Sequence, residues 1–160
     1  MKVLGIDPGI ALTGFGLLEV EGDRLRLLDA GCIVTSESLS PEKRLRSLFE
    51  DLGVLFTTYA PEEVAVEELF FNRNVTTALS VGAARGIVLL CAALCEVPVY
   101  GYTPLEVKQA VVGYGRATKR QVAYMVRQIL QCEHISGPDD VADALAVAVC
   151  HAFHLRMRNV

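Results

Sequence analysis

Apolar and polar positions divide the chain into segments of two different periods. KVLGID (residues 2–7) is an apolar run that reads as a buried strand and ends on a carboxylate, Asp7, directly before a Pro-Gly turn signal. Residues 14–35 alternate apolar and polar, with a break at Glu21-Gly22-Asp23, the pattern of a hairpin. The first three strands therefore form an antiparallel meander. Ser40-Pro41 opens a helix in which Leu45, Leu48, Phe49, Leu52, Phe56 and Tyr59 share one face and Arg44, Arg46, Glu50 and Asp51 lie outside. Ala60-Pro61 ends it, and EVAVEEL (63–69) is a short strand closing on acids.

Residues 75–96 form a long apolar helix whose Gly82, Ala83, Gly86 and Ala93 permit close packing against another element or a second subunit. VPVYGY (97–102) is a further buried strand, and Thr103-Pro104 starts a short helix through Val112. Thr118 and Gln121 have capping-box spacing for a helix with Val122, Met125, Val126, Ile129 and Leu130 on its core face. A last helix starts after Ser136-Gly-Pro and runs to about Arg156. Three antiparallel strands followed by strand–helix alternation imply an α/β fold. Its mixed five-stranded sheet has three antiparallel then two parallel strands and helices on both faces. Ligands collect at strand ends near the centre of such sheets, where Asp7 and Glu67 both sit.

Composition narrows the class. The 160 residues suit one domain (1–160), and 52% hydrophobic with 21% charged residues is globular. No signal-peptide pattern opens the chain, and the longest apolar stretch, residues 86–95, is about half a membrane span. Five cysteines without a C-x-x-C pair fit a reducing, cytoplasmic setting with no membrane partner. A net charge of −4 argues against bulk electrostatic coating of nucleic acid. The distribution is more informative. Lys108, Arg116, Lys119, Arg120 and Arg127 face a single acid between 104 and 132, whereas Glu62, Glu63, Glu67 and Glu68 cluster without a base. That contrast suits an anionic polymer gripped by the basic segment, Lys108, Arg116, Lys119 and Arg120 contacting phosphates.

Four carboxylates belong together. Asp140 and Asp143 are spaced i, i+3 in the first turns of a helix whose neighbours Val141, Ala144, Leu145 and Val147 mark it as buried. Packed carboxylates repel and lose hydration unless protons or cations compensate, and hard divalent ions such as Mg²⁺ or Mn²⁺ do so naturally. Taken alone, Asp7 admits three readings: a turn residue, a phosphate-loop carboxylate or a metal ligand. Asp139 reads as a helix cap or first-turn acid, and strand periodicity leaves open whether Glu67 or Glu68 points inward. Cys132, His134, His151 and His154 lack the paired spacing of a structural zinc site.

The motifs GIDPGIALTGFG, AVEELFFNRN, VKQAVVGYGRATKRQV and DDVADALAVAVCHA, in this order, resemble the RuvC family of Holliday-junction resolvases, in the ribonuclease H-like superfamily. The resemblance covers nearly the whole chain. It implies a homodimeric, Mg²⁺-dependent endonuclease that symmetrically nicks two strands of a four-way DNA junction and works with a branch-migration complex. It assigns metal binding to Asp7, Glu67, Asp140 and Asp143, favouring Glu67 over Glu68. The junction-contacting aromatic falls on Phe70 and the DNA-contacting lysines on Lys108 and Lys119. Some members carry His in place of Asp140.

Two ions about 4 Å apart can stabilise both the attacking and the leaving oxygen of an in-line displacement, with Asp7 as the bridging ligand and Mn²⁺ as a substitute for Mg²⁺. Phe70 is then a stacking wedge at the crossover, and Phe71 packs in the core. An actin-like ATPase or sugar kinase is the main rival, since these also begin with an Asp-x-Gly hairpin, but they need a second such domain. A non-catalytic scaffold for branched DNA is the other, and it predicts that the four acids are dispensable.

Overall fold

The computed structural model describes residues 1–68 and 75–158; Phe70 and Phe71 lie outside them. Five strands, β1 (Lys2–Asp7), β2 (Leu12–Glu21), β3 (Arg24–Val34), β4 (Glu63–Glu67) and β5 (Val99–Tyr102), form one sheet in the order β3-β2-β1-β4-β5. The β1–β2 and β2–β3 pairs are antiparallel, and the β1–β4 and β4–β5 pairs are parallel. This is the ribonuclease H-like arrangement expected from the sequence. Gly22, at φ +56°, turns the β2–β3 hairpin in a conformation that a side chain would disfavour.

Helices α1 (Pro41–Tyr59) and α2 (Val75–Leu94) cover one face of the sheet; α3 (Pro104–Val112), α4 (Lys119–Leu130) and α5 (Asp139–Arg158) cover the other. Alternation along β1 sends Leu4 and Ile6 into the α1 side and Val3 into the α5 side. Gly5 and Asp7, in phase with Val3, therefore face α5. Both capping boxes form: Thr103 with Glu106 at the start of α3, and Thr118 with Gln121 at the start of α4. α5 is the central helix of its layer, with Val141 and every residue from Ala144 to Ala152 buried.

One residue differs from the sequence expectation. Arg44 is not outside: its Nε donates to the buried Thr35 hydroxyl at 2.9 Å, because the loop after β3 folds back over the start of α1. α2 forms as the long apolar helix expected over residues 75–96 and is long and apolar enough to cross a bilayer by length and composition. It packs inward through Ala84, Val88, Cys91 and Ala92, while Val75, Leu79 and Leu94 are 76%, 69% and 66% exposed.

Candidate active site

β1 and β4 lie side by side and parallel, with Ile6 opposite Val66, so Asp7 and Glu67 end adjacent strands at the centre of the sheet. Glu67 is in phase with Ala65, which belongs to the α5-side core, and so faces α5. Glu68, one position on, is exposed beyond the strand; its carboxyl lies over Gly101, where an added Cβ would come 2.5 Å from Oε1.

α5 reaches the sheet because the sheet beneath it lacks side chains. A Cβ built on Gly5 would lie 2.1 Å from the Ala144 carbonyl oxygen, and one on Gly14 would lie 2.1 Å from that of Asp140. On Gly16 it would meet Leu145 Cδ2 at 2.4 Å. These three glycines form a trough into which the first turns of α5 sink, bringing Asp140 and Asp143 to the Asp7 end of β1. None of the glycines drew notice as a functional residue in the sequence, since a close approach is a property of two surfaces.

The turn after Asp7 is held from both sides. The Thr13 hydroxyl donates to Gly9 O at 2.7 Å and accepts from Gly9 N at 3.3 Å. Thr35 donates through its hydroxyl to Ile10 O at 2.5 Å and through its N–H to Ala11 O at 3.1 Å. Both threonines are buried, an unusual place for a hydroxyl, and their burial is satisfied by this turn. With Arg44 on Thr35, these residues pin the turn that directly follows Asp7.

Electrostatics ties the four acids together. Burial, then the charges of Asp143, Glu67 and Asp140, push the Asp7 carboxyl up to about 7, with Lys119 opposing. Burial and Asp143 also raise Glu67, opposed by Lys119 and Lys108. Lys119 Nζ donates to Asp143 Oδ2 at 2.8 Å, and this bond raises the lysine pKa. Glu67, Asp143, Lys108 and Lys119 line a common cavity of about 270 Å³, floored by Val107, Val122 and Ala146.

As they stand, no three Asp, Glu, His or Cys side chains among the described residues are close enough to share an ion. The acids are near enough to perturb one another, and a lysine ammonium supplies the compensating charge. Arg116 and Arg120 do not line this cavity. Both are exposed, and Arg120 lines a separate cleft with Arg127 and His134 beside the start of α5. The histidines of the α5 C-terminal half have protein partners: His151 bonds Glu63 and Tyr102, and His154 Nδ1 lies 2.8 Å from Cys150 O.

Known proteins share both this sequence and this fold. The family profile described as crossover junction endodeoxyribonuclease RuvC matches residues 3–151. A RuvC of Heliobacterium modesticaldum is 58% identical over 97% of this chain and 96% of its own length. The solved structure of Thermus thermophilus RuvC superposes with a TM-score of 0.91 at 43% identity, covering 99% of this chain and 97% of that one. The T. thermophilus protein solved in complex with a Holliday junction substrate gives 0.89 at 42% identity, covering 98% of this chain and 96% of that one. A match of this extent in both sequence and fold leaves no room for the kinase-like or scaffold alternatives: the chain belongs to the RuvC family of crossover junction endodeoxyribonucleases.

Proposed function

We propose that this chain resolves four-way DNA junctions by hydrolysing one phosphodiester in each of two symmetrically placed strands, using Asp7, Glu67, Asp140 and Asp143 as its metal-binding set. The observation that supports the reading is the charge coupling of Asp7 with Glu67, Asp140 and Asp143, beside a cavity that Glu67 and Asp143 line together with Lys108 and Lys119. The donor set is all carboxylate oxygen, and the Asp7 carboxyl is pushed up to about 7 by burial and by its acidic neighbours. That is a site short of positive charge, and it fits hard divalent ions, Mg²⁺ or Mn²⁺, two per site. When bound, such ions polarise the phosphoryl group and make water a stronger nucleophile.

The chain's own residues supply positioning. Thr13 and Thr35 lock the turn that directly follows Asp7, and the glycine trough seats Asp140 and Asp143. Lys119 donates to Asp143, and with Lys108 it lines the cavity that a phosphate would enter. Arg116 and Arg120, exposed outside the cavity, contact more distant phosphates. Phe70 stacks on an opened base pair at the crossover. The cysteines among the described residues are all free thiols, which suits the reducing cytoplasm where chromosomal junctions form in bacteria.

Symmetrical cutting needs two active sites, and α2 offers the seam for a second copy. Val75, Leu79, Leu90 and Leu94 form an exposed apolar stripe, and a Cβ on Gly86 would meet nothing within 4 Å. An uncovered stripe of this size on a soluble monomer is a liability, and pairing two copies removes it. The Leu79→Glu/Leu90→Glu variant is expected to run as a monomer in light scattering and to lose paired cutting of a junction.

The reading is tested by titrating Mg²⁺ against four-way, Y-shaped and linear duplex DNA. Cleavage of the four-way substrate alone, abolished by chelator, is the expected result; equal cutting of linear duplex would reject it.

A further inference from the structure

Two turns along α5 from Asp143, a second polar contact joins the helix to the sheet. His151 is fully buried; its Nε2 lies 2.5 Å from Glu63 Oε2 and its Nδ1 lies 2.6 Å from the Tyr102 hydroxyl. The Tyr100 ring stacks on the imidazole with centroids 4.7 Å apart. An ionised carboxylate only accepts, so Nε2–H donates to Glu63, and in the neutral imidazole Nδ1 accepts from Tyr102. One helix side chain is thereby held by β4 and β5 together.

The spacing relates this contact to the acidic site. Glu63 and Glu67 are four positions apart on one face of β4, about 13 Å at strand rise. Asp143 and His151 are eight apart on α5, about 12 Å at helical rise. Glu63 meets His151 and Glu67 shares a cavity with Asp143, so α5 runs opposite to β4 with the two pairs at matched intervals. Between them the helix rests on Gly5 through Ala144 and Ala148 and on Gly16 through Leu145. Small residues permit close approach but offer little resistance to sliding along the helix axis; directional hydrogen bonds provide it.

We propose that His151 and Glu63 are positioning residues, their hydrogen bond fixing the register of α5 on β4 and so the separation of Asp143 from Glu67. This rests on the assignment of those carboxylates as metal-binding. The test measures Mg²⁺ binding by calorimetry, together with thermal stability and junction binding in chelator. His151→Leu and Glu63→Leu are each expected to weaken Mg²⁺ binding measurably and to leave chelator-phase junction binding intact. The double variant adds little to either single one, and His151→Gln, which keeps a donor, recovers most of the loss.

Val126→Ala, in the same core cluster but remote from this bond, controls for stability: it lowers the melting temperature without moving Mg²⁺ affinity. Should His151→Leu fail to fold, Glu63→Leu, at a strand position that is only partly buried, carries the test alone and is expected to weaken Mg²⁺ binding measurably. Mg²⁺ affinity that follows melting temperature alone across all variants, as in Val126→Ala, overturns the proposal. Asp7→Asn separates the two levels. If it binds Mg²⁺ as the wild type does, the carboxylate assignment fails. If it loses Mg²⁺ while His151→Leu and Glu63→Leu keep it, only the positioning role fails.

Discussion

Replacing Asp7 with Asn is expected to abolish junction cleavage and, at the same time, to stabilise the metal-free protein. The two effects have one cause. Asp7 is partly buried beside three other carboxylates, and its pKa is pushed from 3.8 to about 7. An acid whose folded pKa is raised binds its proton more tightly when folded. Its contribution to stability is therefore full below about pH 4 and is lost as pH rises through about 7. Above that window the ionised carboxylate costs the metal-free fold up to about 4 kcal/mol, which Asn removes. Metal-free wild type should thus lose stability between pH 4 and 7, and Asp7→Asn should show a flatter profile. Mg²⁺ at pH 8 should raise the melting temperature of the wild type and not that of the variant, because only a native state that binds the ion gains from it. Calorimetric melting curves at several pH values, with and without Mg²⁺, check this; cleavage assays check the loss of activity. Retained cleavage by Asp7→Asn would remove the carboxylate from the chemistry.

The second large effect is expected from Gly14→Ala, a change of one methyl group with no ligand contact. Its Cβ would lie 2.1 Å from the Asp140 carbonyl oxygen and 2.5 Å from the carbonyl carbon. These are backbone atoms and cannot swing aside, so the start of α5 must lift from the sheet. The cost to stability is about 1–3 kcal/mol, and Asp140 and Asp143 move away from Asp7 together. Cleavage should fall far more than stability alone explains, while junction binding through the exposed basic residues persists. Gly53→Ala is the internal control. Gly53 lies inside α1 with open space around a new Cβ, and the substitution should stabilise by about 0.4–1 kcal/mol without touching cleavage.

Sequence periodicity was a sound guide wherever one element decides its own shape. The 3.6-residue period located α1 and the core face of α4, and the Thr103 and Thr118 caps fixed where α3 and α4 begin. The hairpin at Gly22 and the three-then-two strand order followed from alternation and from the connections. It was a poor guide to Arg44, which lies on the polar side of the α1 pattern and yet is drawn in by Thr35, a residue from another segment. The long apolar helix read over residues 75–96 stands as α2, and only the fold shows that its Val75, Leu79, Leu90 and Leu94 are left exposed.

The candidate site divides in the same way. Chemistry by residue type was legible: acids closing two strands, two more acids on a buried helix and a basic segment between them. Whether Glu67 or Glu68 faces α5 was not, because the strand ends between them and alternation has no further position with which to fix the phase. The histidines of α5 could be read only as poor zinc ligands, since the partner that defines His151 is 88 positions away. The β2–β3 hairpin, the helix caps and the inventory of carboxylates and lysines were thus set by the sequence alone, through forces that act within a few residues. The tertiary structure alone decided that Gly5, Gly14 and Gly16 admit α5, that Thr13, Thr35 and Arg44 pin the turn after Asp7, and that His151 reaches Glu63. Each of these depends on two surfaces meeting at a distance of a few ångströms, and no local pattern along a single chain encodes a separation between segments.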